Sequence, residues 1–245
     1  MESLPKLITK EEMLDKFKDE KQYSNWIALK LKSKTYKKIR NNLYALIDLS
    51  TNDIYSTKFE IASKISNTSF VCYHSALEYY GLANQVFGDV LVGSLTKFNN
   101  FTFEDNEYIC KPVKNIKFVN DIVSEGIRVS SLEKTIIDCI DNKDLAGGIE
   151  EVLNALEQIK YVNENKLLEI LKDINKMYLY QKVGFLFELY NNQLDLLNEF
   201  FEECKSHTSK KVNYFMQYEF KDTELNEKWN LIVPKNIKSR INGGY

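Results

Sequence analysis

The apolar positions change period along the chain, and each change marks an element. Thr9 and Glu12 form a Thr-x-x-Glu capping box, which predicts a helix through Met13, Leu14 and Phe17. A polar turn, Asp19 to Gln22, follows. Ser24 or Asn25 is then expected to cap a second helix reaching about Ser33, with Ile27, Ala28 and Leu31 on its inner face. The stretch IALKLKSK also alternates with period two, as a strand would. In YKKIRNNLYALID, two β-prone runs flank Asn41-Asn42. Asn tolerates positive φ, so this pair suits a two-residue hairpin turn. Helix, helix and hairpin is the order of a winged helix-turn-helix, with the second helix as reader and the hairpin as wing.

Further along, Thr57 and Glu60 make another capping box before EIASKI, and CYHSALEYYGL reads as a helix ended by Gly81. From about residue 86 the period shortens to two. VLVGSL, FTFEDNEYICKPV, IKFV and GIRVS read as short strands with polar turns between them. After Val129 the pattern is helical again for some 75 residues, opened by a capping box at Ser130 and Glu133. Two strand-like runs, VNYFMQYEF and KWNLIVP, lie near the end. The expected fold class is α+β: a winged helix-turn-helix domain with a helical extension over residues 1–84, then a larger mixed domain over residues 85–245.

Composition adds little to this until charge is divided. With 9 Gly and 3 Pro in 245 residues, long linkers and disorder are disfavoured. MESLPKLITKEEMLDKF is too charged for a signal peptide, and no run approaches the roughly 18 apolar residues of a membrane span. Cys72, Cys110, Cys139 and Cys204 make no CxxC pair and suit reduced thiols. The expectation is therefore a cytoplasmic protein with no membrane contact. The formal net charge of −2 hides an asymmetry: residues 1–48 carry 11 basic and 7 acidic side chains, and the remainder 22 and 28. Between Lys21 and Arg40 there are seven bases and no acid. Such a split points to a polyanion partner for the basic part.

The candidate DNA contacts follow from that asymmetry. Lys30, Lys32, Lys34, Lys37, Lys38 and Arg40 crowd the expected reader helix, its end and the wing, where cations meet phosphates. Ser24 and Asn25 are placed where a reader helix meets base edges. The alternative is a solvated basic face.

Catalytic signals are sparse. HExxH, GxSxG, Walker A and GxGxxG are all absent. Of the two histidines, His74 is expected to pack or face solvent in its helix, and His207 stands apart from it. Asp138 and Asp141 lie three apart on one helix, a spacing compatible with metal ligation but commoner among solvated carboxylates. Glu188, Glu219 and Glu227 complete the acids that a hidden nuclease or phosphoryl-transfer site could recruit. The reading is a non-enzyme: no catalytic residue, no metal, no cofactor.

Gly147 and Gly148 fall at the expected start of a helix carrying Ile149, Val152, Leu153 and Leu156, with Asp144 as its N-cap. Inside a helix each glycine costs about 1 kcal/mol relative to alanine. Two explanations compete: close approach of another group, or backbone N–H groups offered to an anion. Asp144, Glu150 and Glu151 oppose an anion, so close packing is expected, with the Gly184 helix YLYQKVGFLFELY as partner.

These pieces in this order, KKIRNNLYALID, SALEYYGL, VSSLEKTIIDCID, LAGGIEEV and VGFLFE, resemble the AbiEi-type antitoxins of type IV toxin–antitoxin and abortive-infection systems. The resemblance runs from about Ile8 to Pro234. It departs in the wing turn, where the family usually has Gly and this chain has Asn41-Asn42. It implies a phage-defence protein that binds inverted repeats in its own promoter and represses it. It also implies that the C-terminal domain counters a cognate nucleotidyltransferase-like toxin, without a stable complex. The protein would be a monomer in solution and cooperative on double-stranded DNA. Two other readings stay open: a winged-helix regulator whose C-terminal domain binds a ligand or protein, and a defence nuclease targeted by its winged helix.

Overall fold

The computed structural model describes residues 4–216, 222–235 and 237. The fold is α+β, in two compact units: residues up to 71 with 87–129, and residues 72–86 with those from 130 onward.

The first unit opens with β1 (Leu7–Thr9), α1 (Lys10–Leu14), α2 (Glu20–Lys32), β2 (Tyr36–Arg40) and β3 (Leu43–Leu46). The three strands form an antiparallel sheet in the order β1-β3-β2, with Leu7 opposite Ala45 and Tyr36 opposite Leu46. The Thr9–Glu12 capping box is present in both directions and starts α1. Buried Ile8, Met13, Tyr23, Ile27, Tyr36 and Tyr44 form the core under the helices, joined by Phe17 and Trp26. Phe17 packs edge-on to Tyr23 at 5.9 Å and Trp26 lies 6.2 Å from Tyr36. Ring pairs of this kind add about 0.5–1.5 kcal/mol each beyond their buried area.

Next come α3 (Lys58–Lys64), again started by its expected capping box at Thr57 and Glu60, and a six-stranded sheet. Its strands are β4 (Phe70–Val71), β5 (Asp89–Ser94), β6 (Phe101–Phe103), β7 (Asn106–Pro112), β8 (Val119–Ile122) and β9 (Ile127–Ser130), in the order β6-β7-β5-β4-β9-β8. β5 runs parallel to β7 and β4 antiparallel to β5. The Arg128 guanidinium donates to the carbonyls of Ser63, Ser66 and Asn67, closing the end of α3.

The second unit holds α4 (Tyr73–Tyr79), α5 (Leu132–Asp141), α6 (Ile149–Gln158), α7 (Glu164–Ile174), α8 (Met177–Leu189), α9 (Asn191–Leu194) and α10 (Asn198–Ser206). A small sheet follows, β10 (Asn213–Tyr214), β11 (Thr223–Asn226) and β12 (Leu231–Pro234), in the order β10-β12-β11. Most of α8 is buried on every face, which makes it the unit's central helix. Residues 217–220 of the expected VNYFMQYEF strand, Glu219 included, lie outside the described residues.

Three sequence expectations need correction. The single boundary near residue 84 gives way to an interleaved path. Phe70 of β4 pairs with Gly93 of β5, so the sheet's hydrogen bonds tie residues 87–129 to the first unit. The cap of α5 is Ser131, which accepts from the Lys134 N–H, not Ser130. Ser130 instead shares a hydrogen bond with Thr135, and Glu133 accepts from the Asn163 N–H and pairs with Lys166.

The third correction concerns the glycines. Lys143–Ala146 is a turn of 3-10 helix, closed by Gly147 at φ 88°. Gly148, at φ 112° and ψ 171°, is the residue before α6. That conformation is essentially restricted to glycine. Both positions have the positive φ that favours glycine, and an added Cβ at Gly148 would meet the Glu150 carboxylate at 3.3 Å. Asp144 is no cap: it lies in the 3-10 turn, exposed, paired with Lys143 at 2.8 Å. Close packing belongs to Gly184, where an added Cβ would sit 2.2 Å from the buried Trp229 ring.

Candidate nucleic-acid interface

The candidate surface is α2 with the β2–β3 hairpin. Asp19 caps α2, accepting from the Gln22 N–H at 2.8 Å, so the helix begins well before Ser24. Tyr23 and Ile27 face the core, with Trp26 and Leu31 half-buried beside them. This phase turns Ala28 outward, against the expectation that it packs inside. Lys21, Asn25, Ala28, Leu29 and Lys32, spaced by three and four residues, make one exposed face.

α2 ends in a Schellman motif. The Lys34 N–H reaches the Leu31 carbonyl at 3.1 Å and the Thr35 N–H reaches that of Lys30 at 2.9 Å. Lys34 itself takes the left-handed position, φ 53°, where glycine is usual. Lys30 and Lys32 in the last turn complement the helix dipole.

The hairpin carries a bulge between Lys38 and Arg40, and Asn42 supplies the positive φ, 65°, at its tip. The bulge breaks the strand's alternation, so Lys37 and Lys38 are both exposed while Ile39 is buried.

The predicted cations divide accordingly. Lys32, Lys34 and Lys38 are exposed, and Lys21, absent from the sequence-derived set, joins them. Among the described residues none of these four has a carboxylate partner. Lys30 is half-buried, its ammonium 5.8 Å from the Trp26 ring centre. Lys37 pairs with Glu104 at 3.0 Å and lies over Phe103. Arg40 lies over Phe98 and Phe101, at 5.4 and 5.0 Å. Its Nη1 is buried with no hydrogen-bond partner among the described residues, and burial lowers its pKa. Asn25 is exposed, whereas the Ser24 hydroxyl donates back to the Glu20 carbonyl at 2.8 Å.

Lys21 falls in the expected polar turn and only the observed start of α2 at Glu20 puts it on the helix, whereas Leu29 lies inside the expected helix and its exposure depends on the helix phase. The signal for the earlier start was present: Asp19-Glu20-Lys21-Gln22 has the Asp-x-x-Gln spacing of an N-terminus.

Of the acids weighed for catalysis, Asp138, Asp141 and Glu188 have protein partners. Lys134 holds Asp138, whose pKa burial nevertheless raises. Asp141 accepts from Lys176 and Tyr178, both at 2.6 Å. Glu188 accepts from the Trp229 indole at 2.8 Å and pairs with Lys228. Glu227 is exposed. Buried His74 has Nε2 3.9 Å from Glu151, and His207 stacks on Tyr180 at 4.9 Å. Among the described residues, no cluster of His, Cys, Asp and Glu is arranged to hold a metal ion, and no helix is long and apolar enough to cross a membrane.

The chain matches no protein-family model and no curated protein. In structure it is similar to the RV2827C protein from Mycobacterium tuberculosis, with a TM-score of 0.62 at 9% identity, over 94% of this chain and 86% of that one. At that identity the likeness shows the fold alone.

Proposed function

We propose that this protein is a DNA-binding autorepressor and an antitoxin of the AbiEi type, countering a nucleotidyltransferase-like toxin in an abortive-infection operon. One observation carries the DNA half: α2 presents a continuous exposed face flanked by Lys21, Lys32, Lys34 and Lys38, with no carboxylate set against them among the described residues. The order β1, α1, α2, β2, β3, with its β1-β3-β2 sheet, fits a winged helix whose reader is α2 and whose wing is the β2–β3 hairpin. The lysines would meet phosphates and Asn25 a base edge.

The antitoxin half rests on the resemblance. SALEYYGL, TIIDCID, LAGGIEEV and VGFLFE supply parts of α4, α5, α6 and α8, all in the second unit. No step of the proposed work is catalytic, and no cofactor enters it. The partners are the protein's own promoter, bound cooperatively by a monomer, and the toxin, met without a stable complex.

The test uses the full chain, because residues 87–129 belong with the first unit and a cut at 84 would strip strands from its sheet. Anisotropy titrations should show preferential binding to the promoter fragment over a scrambled one, and co-expression should relieve toxin-induced growth arrest. Equal affinity for both fragments would defeat the repressor reading. Promoter binding without rescue would leave a regulator and remove the antitoxin.

A further inference from the structure

We infer that α2 recognises a DNA step containing thymine, with Leu29 and Ala28 packing on the thymine 5-methyl group and Asn25 pairing with an adenine. The inference rests on the DNA-binding reading above and names what that surface selects.

Its basis is how charge is distributed along one helix face. Lys21 and Lys32 stand at the two ends of the exposed stripe of α2. They are separated by about 16 Å at the usual helical rise, comparable to the roughly 12 Å width of the major groove. Between them the stripe is uncharged: Asn25, Ala28 and Leu29. Leu29 is 66% exposed, among the more exposed large apolar side chains described. Single exposed apolar side chains are common on protein surfaces; what singles out Leu29 is its place with Ala28 and Asn25 on one helix face that has a lysine at each end. A groove matches that arrangement. Its walls are phosphates, and the methyl group of thymine is the apolar feature that its floor presents.

Asn25 lies one turn before Leu29 on the same face, exposed, and its amide can donate to and accept from the adenine edge. Ser24 adds nothing here, since its hydroxyl is turned back to the Glu20 carbonyl. A second copy of this chain could also cover Leu29, but paired copies of the stripe would bring lysines together at its ends.

The experiment replaces each thymine of the promoter fragment by uracil, which removes the methyl group alone, and titrates the full-length protein. At one or two thymines per half-site the wild type should lose about fourfold in affinity, the equivalent of one buried methyl group. Leu29→Ala should narrow the difference between the thymine and uracil fragments, Ala28 keeping part of the contact, with an unchanged melting temperature because Leu29 is exposed. Uracil tolerated at every position by the wild type would overturn the inference, as would a Leu29→Ala variant that keeps the wild-type thymine-to-uracil ratio. A change in sedimentation of free Leu29→Ala, without loss of thymine preference, would assign the patch to self-association instead. If the wild type bound no promoter DNA at all, the DNA-binding reading would fail first, and this inference with it.

Discussion

Helix α2 and strand β2 follow one another in the chain and carry three cations each, but two of the three on α2 stand free in solvent and two of the three on β2 are held by neighbours. On α2, Lys21 and Lys32 stand in solvent. On β2, Lys37 is held by Glu104, and Arg40 lies against Phe98 and Phe101. A count of basic residues treats them alike. The fold separates them, because a charge that already has a carboxylate or an aromatic face must give that up to meet a phosphate. Arg40 shows this most clearly: it lies over two rings with its Nη1 buried, so it is not presented to solvent as Lys21 and Lys32 are. Charge available to a polyanion is set by what the neighbouring strands bring to each side chain.

The sharpest way to break the contrast is to neutralise the exposed set together. Replacing Lys21, Lys32 and Lys38 by alanine should shrink the slope of log K against log salt by roughly 2.7, about 0.9 for each lost phosphate contact. Stability should barely move. A slope that stays unchanged would place the DNA surface elsewhere. Arg40→Ala should do the opposite. It removes contacts with two rings and should lower stability by about 1–2 kcal/mol, read as a lower denaturation midpoint, with little change in salt slope. If Arg40→Ala kept its stability and lost a full unit of slope, Arg40 would be a phosphate ligand and the division would be wrong.

Lys37→Ala gives a smaller effect of the same kind. Its pair with Glu104 is partly exposed, at 48% and 37% for the two side chains. Such pairs contribute under about 1 kcal/mol. The expected result is a small drop in midpoint and an unchanged slope.

The same contrast explains what could be read from the chain alone. Local rules worked where the cause is local: the capping boxes at Thr9 and Thr57, the asparagine at the hairpin tip and the glycine after α4 all stand where the residue types demand them. The helical stretch after residue 129 was legible from its period. What failed depends on residues distant in sequence. Arg40 reads as a solvent-facing cation until Phe98 and Phe101 arrive beside it. The unit boundary reads as one cut until β4 and β5 pair across α4. Gly147 and Gly148 read as packing glycines because a 3-10 turn, with its own left-handed exit, is invisible in a pattern of apolar positions. A close approach is seen at Gly184, where Trp229, far along the chain, covers the helix.

The finest test of the division uses Lys34, where a contribution to binding and a contribution to stability should carry opposite signs. Its backbone sits at φ 53° at the end of α2, completing the Schellman hydrogen bonds. A left-handed conformation costs a residue with a Cβ about 1–2 kcal/mol, and glycine avoids that strain while losing more entropy on folding. Lys34→Gly should therefore raise stability slightly, by up to about 1 kcal/mol, measured by denaturant midpoint. The same change removes one exposed cation next to the proposed reader helix, so the salt slope should fall by about 0.9. Lys34→Asn repeats the test with a side chain present: asparagine accepts the left-handed position and also lacks the charge. It should match Lys34→Gly in slope and lie between it and the wild type in stability. If both variants were more stable and kept the full slope, the lysine at this position would owe nothing to DNA, and the exposed set would reduce to Lys21, Lys32 and Lys38.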